Sequence, residues 1–281
     1  MGVRMRVIEL PDGWAPYALA ADADGGIWMT LVAPAGLARL DPAAAAGPPA
    51  LHGIGADARP MQLVARSTGS VAYPRTDDRI AHLAPDGAER LDELPAGASP
   101  YGIAEAGGDL WFTATGLDRL GRLAPDGTPT WVELPAGARP AMVTGTADGA
   151  VWATLNGAGA LARHHDGELE IRPLPAGAAP VGIAADGDGV WYADIARGLV
   201  GHTATGEVRL PDPACRPHAV AADPDGGCWA TLWGSGELAR ITAGGEITIH
   251  PLPGAEPHGL VVTGGHVWVA MESGSLVAVP R

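Results

Sequence analysis

The chain has 281 residues, a formal net charge of −14 at pH 7 and only 18 Lys and Arg residues. This acidic balance predicts that neither nucleic acid nor an anionic membrane is a partner, because both attract clustered cations. We find neither a secretory signal nor an apolar run of roughly 18 residues that could span a membrane, so we expect a cytoplasmic protein. The 41 Gly and 26 Pro residues favour many tight turns.

A proline-centred phrase recurs seven times and divides the chain into repeats with spacings between 37 and 44 residues. The anchor prolines are Pro16, Pro60, Pro100, Pro140, Pro180, Pro217 and Pro257. A tryptophan stands eleven or twelve residues after each proline, except in the second repeat, where Ala72 takes its place. We expect these tryptophans to pack between neighbouring repeats.

The predicted elements follow the same order in every repeat. The third repeat shows it well, with the four segments PYGIAEAG, DLWFTAT, DRLGRLAPDG and TPTWVELP. Each segment has the length of a strand and leads into Gly-Gly, Asp-Gly or similar residues, which supply the backbone conformations of tight hairpins. Helical periodicity is not sustained anywhere, so the sequence predicts an all-β protein.

Four strands in each of seven repeats predict a seven-bladed β-propeller of four-stranded antiparallel blades, as a single domain over residues 1–281. The chain ends in GSLVAVPR, a third strand without a fourth, and VIELP at residues 7–11 resembles the fourth strand of other repeats. We therefore expect the N-terminal strand to complete the last blade and close the ring. A closed ring has no open edge, so we expect a monomer. Two stacked β-sandwiches would not explain one period through the whole chain.

The residue after each anchor proline opens the innermost strand of its blade and should face the central channel. In a closed ring these side chains surround one channel mouth: Tyr17, Met61, Tyr101, Ala141, Val181, His218 and His258. His218 and His258 belong to neighbouring repeats, so we expect them to face the same space. Positions that differ in one or two copies of a repeat are candidates for function, since shared positions serve the fold.

The hairpin of the last repeat predicts two carboxylates beside His258. Pairing its strands about the turn at residues 263–265 sets Glu256 opposite Glu272, within about one position. Two adjacent carboxylates repel one another unless a proton or a cation lies between them. Mg²⁺ resolves this repulsion economically, because it binds one or two carboxylates and takes water or substrate at its other positions. Glu256 and Glu272 are therefore candidate metal ligands.

Seven further histidines do not occupy positions at the channel mouth. We interpret them as surface residues: His52, His82, His164, His165, His202, His250 and His266. The two adjacent histidines of this set precede Asp166 in a segment typical of a turn, so they predict no metal site.

The whole chain resembles the virginiamycin B lyases, seven-bladed propellers that linearise streptogramin B antibiotics. Blade phrases such as SPYGIAE and DLWFTAT run along its full length, although such phrases occur in several kinds of propeller. The specific part lies in the last two repeats, where RPHA, EPHG and a glutamate after the next tryptophan strand match the family's active-site pattern. The first two repeats depart from it, with Ala72 in place of tryptophan and an unusual TLVAPAG connection.

The resemblance implies roles for four residues. His258 corresponds to the general base and His218 to a substrate-contacting histidine, while Glu256 and Glu272 correspond to Mg²⁺ ligands. The implied reaction is an elimination, in which the base removes the threonine α-proton, the Cβ–O bond of the ester breaks, and a free carboxylate leaves. Such a reaction needs a positioned base and a group that stabilises the enolate-like charge, which Mg²⁺ can do.

Trp233 and Tyr17 also match positions on the family's binding face, where we expect them to stack on aromatic parts of a cyclic depsipeptide. Two other functions are compatible with the residues. A metal-dependent lactonase would activate water against a cyclic ester, and a non-enzymatic propeller would bind a protein or carbohydrate on this face. The binding module predicts no clustering of Glu256, His258 and Glu272. A lyase for an unrelated cyclic depsipeptide is a further alternative.

Overall fold

The computed structural model describes residues 4–43 and 49–281. These residues form 28 β-strands arranged in seven four-stranded antiparallel sheets, with no helix among them. In this part of the chain there is accordingly no helix long and apolar enough to cross a membrane. The predicted all-β fold with seven four-stranded blades is confirmed.

In blades 1 to 6 the strands follow one another in chain order from the channel outward. The first strand of the chain is β1 (Arg6–Glu9). Blade 1 contains β2 (Ala15–Ala21), β3 (Ile27–Ala33), β4 (Ala35–Leu40) and β5 (Leu51–Gly53). Blade 2 contains β6 (Val64–Ala65), β7 (Val71–Arg75), β8 (Arg79–Leu83) and β9 (Glu89–Glu93). Blade 3 contains β10 (Pro100–Ala106), β11 (Asp109–Ala114), β12 (Arg119–Leu123) and β13 (Pro129–Glu133).

The second half of the ring repeats this order. Blade 4 contains β14 (Pro140–Gly145), β15 (Val151–Leu155), β16 (Ala160–His165) and β17 (Glu168–Pro173). Blade 5 contains β18 (Pro180–Asp186), β19 (Gly189–Asp194), β20 (Leu199–His202) and β21 (Gly206–Arg209). Blade 6 contains β22 (Pro217–Ala222), β23 (Cys228–Leu232), β24 (Glu237–Ile241) and β25 (Ile247–Pro251). Blade 7 contains β26 (Pro257–Thr263), β27 (His266–Met271), β28 (Ser275–Pro280) and β1.

Blade 7 combines three strands from the C-terminal end of the chain with one from the N-terminal end. Strand β1 pairs antiparallel with β28, with Val7 opposite Val277 and Glu9 opposite Ser275. The inner strand β2 of blade 1 contacts β26 of blade 7 on one side and β6 of blade 2 on the other. The ring is therefore closed, and the predicted completion of the last blade by the N-terminal strand is confirmed.

The repeated tryptophans pack between neighbouring blades. Trp229 of blade 6 shares a buried cluster with Val267 and Val269 of blade 7. Trp152 of blade 4 packs in the same way with Ile183 of blade 5. Complete burial of a large apolar side chain is worth about 1.5–3 kcal/mol, so each interface between blades contributes to the stability of the ring. The prediction that these residues serve core packing is confirmed.

A recurring threonine fixes the inner strands beside the channel. In blade 6, the hydroxyl of Thr231 accepts a hydrogen bond from the N–H of Ala219 at 3.0 Å and donates one to the carbonyl oxygen of His258 at 2.7 Å. Equivalent bonds from one blade to the next are donated by Thr30, Thr113 and Thr154. A buried bond of this kind is worth about 1 kcal/mol net. Thr231 therefore holds the two histidine-bearing strands in a fixed relation.

Candidate active site

The channel mouth is built where the inner strands begin. In six blades the pairing of the inner strand with its neighbour shifts register directly after the anchor proline. The irregular stretch runs from Pro217 to Val220 in blade 6 and from Pro257 to Leu260 in blade 7. Such bulges redirect a side chain out of the regular alternation of a strand. His218 and His258 lie inside these stretches.

The two histidines at the mouth lie against each other. The ring centroids of His218 and His258 are 4.9 Å apart, and their planes are nearly perpendicular at 85°. Each residue is only 8% exposed. The prediction that repetition brings these two side chains into the same space is confirmed.

Two aromatic residues predicted for the site also contact His258. The ring of Tyr17 lies 4.5 Å from that of His258 and 6.1 Å from that of His218, measured between centroids. The ring of Trp233 lies 6.2 Å from that of His258. The imidazole of His258 is therefore enclosed by aromatic surfaces from blades 1 and 6 as well as by its neighbouring histidine.

Glu272 follows the adjacent strand β27 directly and approaches His258 from its end. Its Oε2 atom lies 2.5 Å from Nε2 of His258, and its side chain is 32% exposed. Among the described residues, Nδ1 of His258 has no hydrogen-bond partner. Nδ1 of His218 is likewise buried without a partner. Buried polar atoms are usually satisfied, so these nitrogens are available to an incoming ligand.

Glu256 lies opposite Glu272, as the hairpin predicts. Pro257 pairs with Met271, and the N–H of Glu272 donates to the carbonyl oxygen of Glu256 at 3.1 Å. The side chain of Glu256 is exposed at the rim, whereas that of Glu272 turns toward His258. The hairpin thus brings both glutamates to the same edge of the mouth.

Burial controls the charge of both histidines. It lowers the pKa of His258 below its usual value, and Glu272 and Glu256 only partly oppose this effect. Burial, followed by the neighbouring His258, lowers the pKa of His218 to about 3. Burial raises the pKa of the Tyr17 phenol far above its usual range. At neutral pH the mouth therefore presents two uncharged imidazoles, of which one can accept a proton.

The donor set next to His258 fits a hard divalent cation. The described residues contain no group of three His, Cys, Asp or Glu side chains with metal-binding geometry. Mg²⁺ does not require such a group, because it binds through one or two carboxylates and keeps several water ligands. Glu256 and Glu272 provide two carboxylates at one edge, whereas a closed structural zinc site would need four protein ligands.

None of the seven histidines outside the mouth is fully exposed, and one of them is buried. His202 was expected at the surface, but it is only 9% exposed. It lies directly opposite Trp191 in the pairing of β19 with β20, with the ring centroids 4.6 Å apart. The expectation of a surface position is therefore wrong for His202, because the cross-strand tryptophan covers its ring.

A further residue of the mouth, Tyr101, has no role predicted from the sequence. Its hydroxyl lies 2.6 Å from the hydroxyl of Tyr17. The only sequence signal for this contact is that repeats 1 and 3 carry the same residue type at the same position. Tyr101 also lines a cavity of about 530 Å³ on the side of the mouth away from the histidines, together with Arg139, Asn156 and Val181.

The ring fold and this site define a propeller with two uncharged histidines at one channel mouth, and the comparison with known proteins specifies the family. The sequence pattern of the "Virginiamycin B lyase family" matches residues 3–279. A virginiamycin B lyase from Nocardia farcinica is 41% identical over 283 aligned positions, which cover 98% of each chain. The chain therefore belongs to the virginiamycin B lyase family, a family of lyases.

Solved structures show the same relationship. The virginiamycin B lyase of Staphylococcus aureus is 29% identical, covers 100% of both chains and superposes with a TM-score of 0.93. A streptogramin B lyase structure is 32% identical and covers 99% of this chain and 98% of its own, also with a TM-score of 0.93. A catalytically inactive histidine-to-alanine variant of the Staphylococcus aureus enzyme, in a structure with quinupristin, is 28% identical with a TM-score of 0.92.

Proposed function

We propose that this protein linearises streptogramin B type cyclic depsipeptides by elimination at the threonyl ester bond, and thereby confers resistance to them. The observation that carries the proposal is the pair of uncharged histidines, packed at 4.9 Å beside Glu272, in a chain of this lyase family. A relative from Staphylococcus aureus in a structure with quinupristin, whose histidine variant is catalytically inactive, supports the same class of substrate.

His258 is the general base of the proposed reaction. An uncharged imidazole can remove the α-proton of the threonine residue, and a base with a pKa near or below the working pH is in the required form. The carboxylate of Glu272, in contact with Nε2, favours a proton on that nitrogen. Nδ1 then carries the free lone pair, and no group in the described part of the chain makes a hydrogen bond to it.

The other residues of the mouth bind and orient the substrate. His218 is uncharged and has an unpartnered Nδ1, so it can exchange a hydrogen bond with the ester or with the leaving carboxylate. The rings of Tyr17 and Trp233 present aromatic faces next to His258, on which aromatic side chains of the cyclic peptide can stack. Together they exclude water from the base.

Glu256 and Glu272 are the proposed ligands of Mg²⁺. When bound there, the ion would stabilise negative charge that develops on an oxygen of the ester or of the neighbouring amide. The two residues flank adjacent strands at one edge of the mouth, one directly before β26 and one directly after β27. Their exposure leaves room for the water and substrate ligands that Mg²⁺ keeps.

Mass spectrometry of the product tests the reaction class. We expect purified protein with a streptogramin B and Mg²⁺ to give a linear product with the same mass as the ring, because elimination adds no atoms. A product heavier by one water molecule would instead identify a metal-dependent lactonase. No change of the substrate, combined with measurable binding, would identify a non-enzymatic binding module.

Titration of Mg²⁺ tests the metal role separately. We expect excess EDTA to abolish turnover and Mg²⁺ to restore it, and calorimetry to detect Mg²⁺ binding without substrate. Glu256→Gln and Glu272→Gln should each weaken this binding about tenfold or more, since each removes a charged ligand. Glu246→Gln, an exposed change at the turn after β24, is the matched control. Full activity in excess EDTA would contradict the metal role.

A further inference from the structure

The hydroxyl contact between Tyr17 and Tyr101 crosses the channel mouth. Tyr17 opens the inner strand of blade 1 and Tyr101 that of blade 3, while Met61 of blade 2 lies between them in chain order. The two oxygens are 2.6 Å apart, a normal distance for a hydrogen bond between hydroxyl groups. The threonine bonds described above join only neighbouring blades, so this bond links strands that the repeat itself does not connect.

Both phenols keep their protons at any ordinary pH. Burial is the main cause that raises the pKa of Tyr17 and of Tyr101. Either hydroxyl can therefore donate to the other, and the bond persists whichever one does so. When one hydroxyl of this part-buried bond is removed, the other loses its partner, which costs more than the bond itself contributes.

The other face of Tyr17 packs on the candidate base. Its ring centroid is 4.5 Å from that of His258, with an interplanar angle of 40°. Its backbone is fixed by the close approach of Gly259, where an added Cβ would lie 2.7 Å from the carbonyl oxygen of Tyr17. The bond to Tyr101 is the one hydrogen bond made by the Tyr17 hydroxyl within the described part of the chain. Tyr101 therefore controls the free end of the ring that covers His258.

We propose that Tyr101 is a positioning residue, whose hydroxyl holds the Tyr17 ring against His258 from across the channel mouth. Its effect on turnover rests on the proposed function, since it presupposes that His258 is the base. Tyr101 also lines the cavity of about 530 Å³ on the opposite side of the mouth, so a substrate in that cavity would lie against the Tyr101 ring.

A double-mutant cycle tests this role. We expect Tyr101→Phe to lower kcat roughly three- to tenfold, the scale of one lost hydrogen bond, and to change KM less than about twofold. The Tyr17→Phe, Tyr101→Phe double variant should be no worse than Tyr17→Phe alone, because both changes remove the same bond. Tyr192→Phe is the matched control. The Tyr192 hydroxyl donates a hydrogen bond of 3.2 Å to Glu207, and this pair does not belong to the mouth. If the loss of kcat in the double variant equals the product of the losses in the two single variants, the proposal is overturned.

A second readout does not depend on turnover. With labelled Tyr and His, NMR should detect magnetisation transfer between the Tyr17 and His258 rings in the wild-type protein and in Tyr192→Phe. We expect this signal to weaken clearly in Tyr101→Phe, and an unchanged signal would overturn the positioning role. A wild-type protein that leaves streptogramin B intact would instead overturn the proposed function. The NMR signal between the Tyr17 and His258 rings would then test by itself whether Tyr101 positions Tyr17.

Discussion

The two sides of the channel mouth have the same backbone and different chemistry. On the side of blades 6 and 7 the mouth residues are His218 and His258, and on the side of blades 3 to 5 they are Tyr101, Ala141 and Val181. Both sides begin with an anchor proline, and both carry the register shift that redirects the next side chain. The repeat thus supplies equivalent positions, and a few substitutions in two blades supply the candidate catalytic groups.

The residue before the anchor proline shows the same contrast. In four blades it adopts a left-handed backbone conformation, with φ between 45° and 57°: Ser99, Arg139, Arg216 and Glu256. A left-handed non-glycine residue often marks a functional site, but here it recurs on both sides of the mouth. The conformation therefore belongs to the blade, and only the carboxylate of Glu256 is specific to the histidine side.

Among changes on the two sides of the mouth, replacement of the candidate base should lower turnover the most. We expect His258→Ala to lower kcat by roughly 10²-fold or more, the scale of a lost general base, while circular dichroism stays that of the wild type. His266→Ala is the matched control, because His266 lies at the other end of the same hairpin, opposite Thr263. Near-normal turnover of His258→Ala would exclude this residue as the base.

The juxtaposition of His218 and His258 could be predicted because it depends only on the backbone. The spacing of the anchor prolines places both residues at the same point of neighbouring blades. Closure of the ring then makes both side chains face the same channel mouth. The opposition of Glu256 and Glu272 follows equally from the length of one hairpin. Strand pairing is periodic, so counting residues is enough to locate such neighbours.

Contacts that depend on side-chain length and direction were not accessible in this way. The bond between Tyr17 and Tyr101 joins blades that are not neighbours. The spacing of residues in the sequence does not determine whether two tyrosine hydroxyls come within hydrogen-bond distance. The burial of His202 depends on how the ring of Trp191 lies across the pair of strands. The register of the backbone is periodic, whereas side-chain packing is specific to each interface.

A glycine beside the histidine side tests how tightly the backbones of blades 7 and 1 are packed. A Cβ on Gly259 would lie 2.7 Å from both the Cα of Ala18 and the carbonyl oxygen of Tyr17, so the backbone must shift. We expect Gly259→Ala to lower the free energy of unfolding by up to about 3 kcal/mol, measured by urea denaturation. Gly53→Ala is the control, because no atom of the described residues lies within 4 Å of its added Cβ. Equal stability of the two variants would contradict the close packing.

Burial of His218 should make the stability of the protein depend on pH. The mouth positions of blades 3 to 5 carry no histidine and should not contribute to this dependence. The pKa of His218 is about 3 in the folded protein, against about 6.5 when unfolded, so between these values the unfolded state binds more protons. The free energy of unfolding should therefore fall as the pH falls, by about 2 kcal/mol from this group between about pH 7 and pH 5. His218→Gln cannot titrate, so its stability should change less over this range. Parallel curves for both proteins would show that His218 is not held neutral by burial.

The opposite side of the mouth should affect binding and not chemistry. The side chain of Val181 lines the cavity of about 530 Å³, while its carbonyl oxygen accepts a hydrogen bond from Thr154 that a substitution would keep. Val181→Ala removes apolar contact worth about 0.4–1 kcal/mol, so we expect KM to rise roughly two- to fivefold with kcat unchanged. A kcat loss near that of His258→Ala would mean that this side also takes part in the chemical step. An unchanged KM would mean that the substrate contacts only the histidine side.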